Sequence, residues 1–215
     1  MLKLYTYYRS SASFRVRIAL HLKGLAYESV PVHLVRDGGQ QHSPAFRALN
    51  PSELVPVLQD GDISLSQSVA IMEYLDEKHP TPALLPSDAA GRARVRSLTQ
   101  SIACDIHPLN NLRVLRYLEQ SIGLDAQARN AWYRHWIETG FSALEQQLSQ
   151  DGQSGRFCHG DLPSMADCCL VPQVFNAERF KVPLDAYPTI NAITENCRSL
   201  DAFSRAAPQA QPDAE

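Results

Sequence analysis

The chain has 215 residues, 44% of them apolar, and a formal net charge of −3 at pH 7. That composition suffices for a real core in one large domain or two small ones, and it gives no global positive charge for nucleic acid or an anionic membrane surface. No stretch approaches the roughly 18 consecutive apolar residues of a membrane span. The opening MLKLYTYYRSS lacks an apolar secretory core, so a secretory start is not expected. Five cysteines, an odd number with no C-x-x-C pair, indicate small buried hydrophobes in a reducing, cytoplasmic setting rather than a zinc site or a dithiol redox centre.

In chain order, LKLYTYY (2–8) alternates and is rich in aromatics, which predicts a strand. From Ser10 to Lys23 the residues Phe14, Ile18 and Leu22, with Val16, Ala19 and Leu20, recur at helical spacing, and Gly24 stops the helix. YESVPVHL (27–34) predicts a second strand, placed at a sheet edge because Pro31 has no N–H to give a ladder. Strand, helix and strand at this length predict parallel pairing. DGGQQHS (37–43) reads as a loop and PAFRALN as a short helix ending near Asn50-Pro51. VPVLQDGDISLSQS (55–68) predicts a hairpin around Asp60-Gly61, followed by the helix SVAIMEYLDEKH, stopped by Pro80 and Pro82.

PTPALLPSD (80–88), with three prolines, reads as a linker between domains 1–82 and 88–215. Helical patterns then cover roughly 89–119 and 126–148. Ser164-Met165-Ala166-Asp167 is an S-x-x-D capping box ahead of CCLVPQVFNAERF, and a last helix follows Pro188. The tail APQAQPDAE is expected to be mobile. The expected fold class is therefore α/β plus all-α, a βαβ-ββα domain followed by an all-helical one.

That order, with the linker and the S-x-x-D box, resembles the glutathione transferases, whose first domain is thioredoxin-like. YRSSASFRVRIALHLKGL, GGQQHSPAFRALNPSELVPVL, QSVAIMEYL and VPQVFNAERFKVPLDAYPTI resemble the zeta class, over nearly the whole chain. The zeta class includes maleylacetoacetate and maleylpyruvate isomerases. The resemblance implies a glutathione-dependent cis–trans isomerase acting on a small diacid, forming a homodimer, with no metal, nucleic-acid or membrane partner. One position departs: Ala12 stands where the zeta pattern usually has cysteine.

Glutathione is nucleophilic as a thiolate, while a free thiol is mostly protonated at neutral pH. A helix start offers unpaired N–H groups and partial positive charge, so Ser10 and Ser11 stand where a thiolate could be held. Read locally, both serines are equally good helix caps. The resemblance further implies that Val55-Pro56 is cis and offers its backbone to the cysteinyl unit, that Gln67 and Ser68 receive the γ-glutamyl carboxylate at a helix start, and that Gln41 contacts the glycyl side. A diacid requires cations, and arginine's planar fork suits carboxylates. Arg9 lies at the C-terminal end of the first strand, where open α/β sheets place ligands, and Arg179, in NAERF, takes that part by resemblance. His107 and Asn111, at i and i+4 on an expected long helix, share a face, with Asn110 and Arg113 nearby. Arg15 and Arg17 read as surface or interface charges. Two alternatives stay open: a general transferase that dehalogenates α-haloacids, and a non-catalytic interaction module on the same fold.

Overall fold

Leu2, Leu4 and Thr6 point inward while Lys3 faces water, so β1 (Leu2–Thr6) has one buried face, as its alternation requires. In a computed structural model that describes residues 1–215, β1 is central to a four-stranded sheet of order β2-β1-β3-β4. It pairs parallel with β2 (Tyr27–Pro31) and antiparallel with β3 (Val57–Asp60), which in turn pairs antiparallel with β4 (Ile63–Ser66). Pro31 lies on an edge strand, and the hairpin turns at Gly61, whose φ of 60° is left-handed. Helix α1 (Ser11–Leu22) crosses between β1 and β2, α2 (Pro44–Leu49) follows β2, and α3 (Ser68–Lys78) follows the hairpin. Phe14, Val16, Ile18 and Leu20 of α1 are buried, as are Leu58 and the α3 residues Ile71, Met72 and Leu75. Buried Lys23 links the end of α1 to α3, its Nζ donating to Asp76 Oδ1, His79 O and Pro82 O, each at 2.7 Å.

The chain divides into two compact units, Met1–Leu84 with Arg198–Glu215, and Leu85–Cys197. This departs from a second domain running over 88–215. The last segment belongs with the first unit because α9 (Asp201–Ala206) packs on α1, with Phe203 and Ala206 buried. The tail also departs from the mobile segment expected. Gln211 is buried, the Tyr8 N–H donates to Asp213 Oδ2 at 2.9 Å, and Glu215 pairs with His33 and Arg36.

The second unit is helical: α4 (Ala89–Gln100), α5 (Leu112–Gln120), α6 (Ala126–Gln150), α7 (Met165–Arg179) and α8 (Pro188–Arg198), the last reaching one residue into the segment assigned to the first unit. The single helix expected over 89–119 is interrupted. Residues 101–106 widen to a π-helical turn and 107–110 tighten to a 3₁₀ turn before α5 begins. Pro108 supplies no N–H for a continuing α-ladder. Gly140 of α6 gives this segment its room, since a Cβ there would stand 2.3 Å from Ile106 Cδ1. The S-x-x-D box forms: Asp167, fully buried, accepts from the Ser164 N–H and hydroxyl, both at 2.7 Å, and from the Cys158 N–H at 2.8 Å. None of the five cysteines forms a disulfide; four are buried, and Cys104 is exposed. No helix is long and apolar enough to cross a membrane.

Candidate active site

The polar end of the first unit is built on the turn from β1 to α1. Ser10 is the N-cap of α1, its backbone extended and its Oγ accepting from the Ser13 N–H at 3.2 Å. Since that oxygen accepts, its own proton is available to donate. Ser11 opens the helix and is buried. Arg9 is exposed, donates from Nη2 to the Tyr7 hydroxyl at 3.0 Å and lies 5.2 Å from the centre of the Tyr8 ring. Burial pulls the Arg9 guanidinium down, but the Tyr7 bond and the Tyr7, Tyr8 and Glu215 oxygens carry it above its ordinary value. Burial pushes the Tyr7 phenol up, against the pull of Arg9. Arg9 therefore stays charged and Tyr7 neutral through the physiological range.

Sheet register brings the other first-unit candidates to this end. Val57 is opposite Tyr5 on one side and Ser66 on the other, so Val55-Pro56 and Gln67-Ser68 both flank the end of β1. Val55 packs in one cluster with Tyr7, Tyr8, Val32, Phe46 and Val57. The Val55–Pro56 bond is cis, and Val55 lies outside the ladder, which starts at Val57. Gln67 is exposed, with φ at 72°, and places Ser68, buried, at the first position of α3. The Gln67 side chain makes no cap bond, so α3 opens without a side-chain cap. Gln41 is buried and folded back over Gly39, its Nε2 donating to Leu34 O at 3.3 Å while its Oε1 has no partner.

In the second unit the structure separates residues expected to share a face. His107 opens the 3₁₀ turn, whereas Asn111 is the N-cap of α5, with extended backbone, and its Oδ1 accepts from the Arg113 N–H at 3.1 Å. The i, i+4 relation fails because no α-helix runs through 107–111. Asn110 is buried, with Nδ2 on Tyr133 O at 3.1 Å and Oδ1 unpartnered. Arg113 is exposed on α5. Arg179 ends α7, exposed, its guanidinium 5.6 Å from the centre of the Phe180 ring, which stacks on Tyr133.

Residues 4–83 match the glutathione S-transferase N-terminal domain family and residues 126–197 its C-terminal domain family. The probable maleylacetoacetate isomerase of Vibrio cholerae is 54% identical over 98% of this chain and 97% of that protein. A holo structure of a maleylpyruvate isomerase, described as a bacterial glutathione S-transferase in zeta class, superposes with a TM-score of 0.96 at 53% identity, covering 99% of this chain and 100% of that one. This chain belongs to the zeta class of glutathione transferases. A second neighbour, the maleylacetoacetate isomerase of Methylobacterium extorquens AM1 with bound malonate and GSH, superposes with a TM-score of 0.95 at 46% identity, covering 99% of each chain.

Two features of this zeta-class chain fit glutathione independently of the likeness. The uncapped start of α3 suits a carboxylate, and the orphaned Gln41 Oε1 suits an N–H donor. One residue at this end escaped the sequence reading. Arg15, which reads as a surface or interface charge, is 2% exposed within this single chain, and its Nη1 donates to Ser68 Oγ at 3.2 Å. The signal was its setting, between Phe14 and Val16 in a helix with apolar residues on every side. Arg17, read in the same way as a surface or interface charge, is fully buried.

Proposed function

We propose that this chain catalyses the glutathione-dependent cis–trans isomerisation of maleylpyruvate or maleylacetoacetate. The observation that carries the reading is likeness along essentially the whole chain to proteins named for those two activities, one of them with a diacid and GSH bound. When bound, glutathione supplies a thiolate whose reversible addition to the cis double bond lets that bond rotate. Ser10 and Ser11 hold the sulfur by hydroxyl and helix-start N–H donors, which lowers the cost of ionising it. Gln41, the backbone at Val55-Pro56, and Gln67 with Ser68 bind the tripeptide. Arg9 and Arg179 each receive a substrate carboxylate, with His107, Asn111 and Arg113 as further substrate-side groups. No proton needs a strong side-chain base, so preorganised positive charge does most of the work. Ala12 leaves the sulfur entirely to the cofactor.

The reading extends to a homodimer in the cytoplasm, for which light scattering should give twice the 23.9 kDa of one chain. The deciding experiment is an absorbance assay on both substrates with and without glutathione. Isomerisation that requires the tripeptide is expected. Full-speed turnover without it, or dechlorination of an α-haloacid with no isomerisation, would overturn the proposal.

A further inference from the structure

Arg15 and Arg17 stand two residues apart in α1 and are both buried, but only one is satisfied. Arg17 donates from Nε to Ala206 O, from Nη1 to Thr6 Oγ1 and from Nη2 to Tyr8 O, all between 2.9 and 3.0 Å. Arg15 makes one bond, to Ser68 Oγ, and its Nε and Nη2 are buried without partners. None of the ion pairs of the first unit reaches it. A buried guanidinium with five donors and no counter-charge is costly, and packing alone would be served as well by an apolar side chain.

Its single partner indicates what the charge is for. Ser68 is the first residue of α3, an 11-residue helix whose first intrahelical bond runs from the Ile71 N–H to Gln67 O. The N–H groups of Ser68, Val69 and Ala70 precede that bond, and no side chain caps them. Because Ser68 Oγ accepts from Arg15, the Ser68 hydroxyl proton is directed away from Arg15. A hydroxyl donor, a row of free N–H groups and a full positive charge behind them together suit an anion.

We propose that Arg15 is a positioning residue for the α-carboxylate of the γ-glutamyl unit of glutathione, orienting the Ser68 hydroxyl and supplying the counter-charge from inside the first unit. The assignment rests on the glutathione reading above. It acts on affinity for one carboxylate and not on the sulfur chemistry.

The test compares glutathione with 4-aminobutyryl-cysteinylglycine, the same tripeptide without that carboxylate, by calorimetric titration. Wild-type protein should prefer glutathione. In Arg15→Met the preference should fall on the order of tenfold, through weaker glutathione binding with the decarboxylated tripeptide unchanged. Arg15→Lys should retain most of it. Equal weakening of both ligands, or an undiminished preference in Arg15→Met, would overturn the assignment to Arg15 while leaving the glutathione reading intact. A wild-type protein that binds neither tripeptide would sink that reading, and this one with it. Should Arg15→Met not fold, ¹⁵N spectra of the wild-type arginine side chains decide: the Arg15 signals should shift with glutathione and stay put with the decarboxylated tripeptide. Identical responses to the two would refute the proposal.

Discussion

Arg17 is a cation held by carbonyls. Burial pushes its pKa down to about 10, still well above neutrality, so it is charged when the protein works. Its bonds join the end of β1 to Ala206. Arg17→Met should therefore cost about 3 kcal/mol, because the Tyr8 and Ala206 carbonyls lose their donor. Urea unfolding checks this, and a loss under 1 kcal/mol would contradict it. Arg179 should behave oppositely. Exposed at the end of α7, it can be removed with little change in stability, but Arg179→Ala should raise KM for the diacid on the order of tenfold, with KM for glutathione nearly unchanged. Equal rises would remove Arg179 from the substrate side. The serine turn and the positions of Val55-Pro56 and Gln67-Ser68 were legible because turn, cap and strand signals are local. The burial of Arg17 was not, since the segment 198–215 that bonds it lies far away in sequence, and the apolar neighbours of Arg15 on α1 were its one local signal.

Among the elements, the strands and α1 follow the pattern closely: alternation gives β1, and a turn signal at Gly61 gives the hairpin. The break between α4 and α5 was missed because Ser101–Asn110 retains helix-like spacing. Only Pro108 and the space offered by Gly140, on another helix, reveal the change of winding. A second tie in this unit has a pH signature. Arg94 on α4 grips Asp151, just past α6, through Nε at 2.6 Å and Nη2 at 3.0 Å. Burial raises the Asp151 carboxyl, but the Arg94 fork and the Gln153 N–H outweigh it and hold it below its ordinary 3.8. A carboxyl depressed on folding contributes stability above its unfolded value and loses it as pH falls through the folded one. The stability gap between wild type and Asp151→Asn should thus be on the order of 1 kcal/mol at pH 7 and close below about pH 4. A gap that widened on acidification would show the wrong sign.

At the scale of the whole molecule, the segment 198–215 completes the first unit. Its Ala, Gln and Pro content gave no sign of this, because docking depends on α1 and Tyr8 rather than on its own periodicity. The Tyr8 N–H bond to Asp213 braces the turn that carries Arg9, Ser10 and Ser11. Asp213→Ala should speed hydrogen exchange at the Tyr8 amide about tenfold or more while leaving the α6 amides unchanged. No change at Tyr8 would mean that the brace is slack. The division Met1–Leu84 plus Arg198–Glu215 also makes Leu85–Cys197 an insertion within another unit's sequence. No single proteolytic cut can release the first unit whole. On the ribosome, its opening strands must wait for some hundred intervening residues before the helix that finishes them is synthesised.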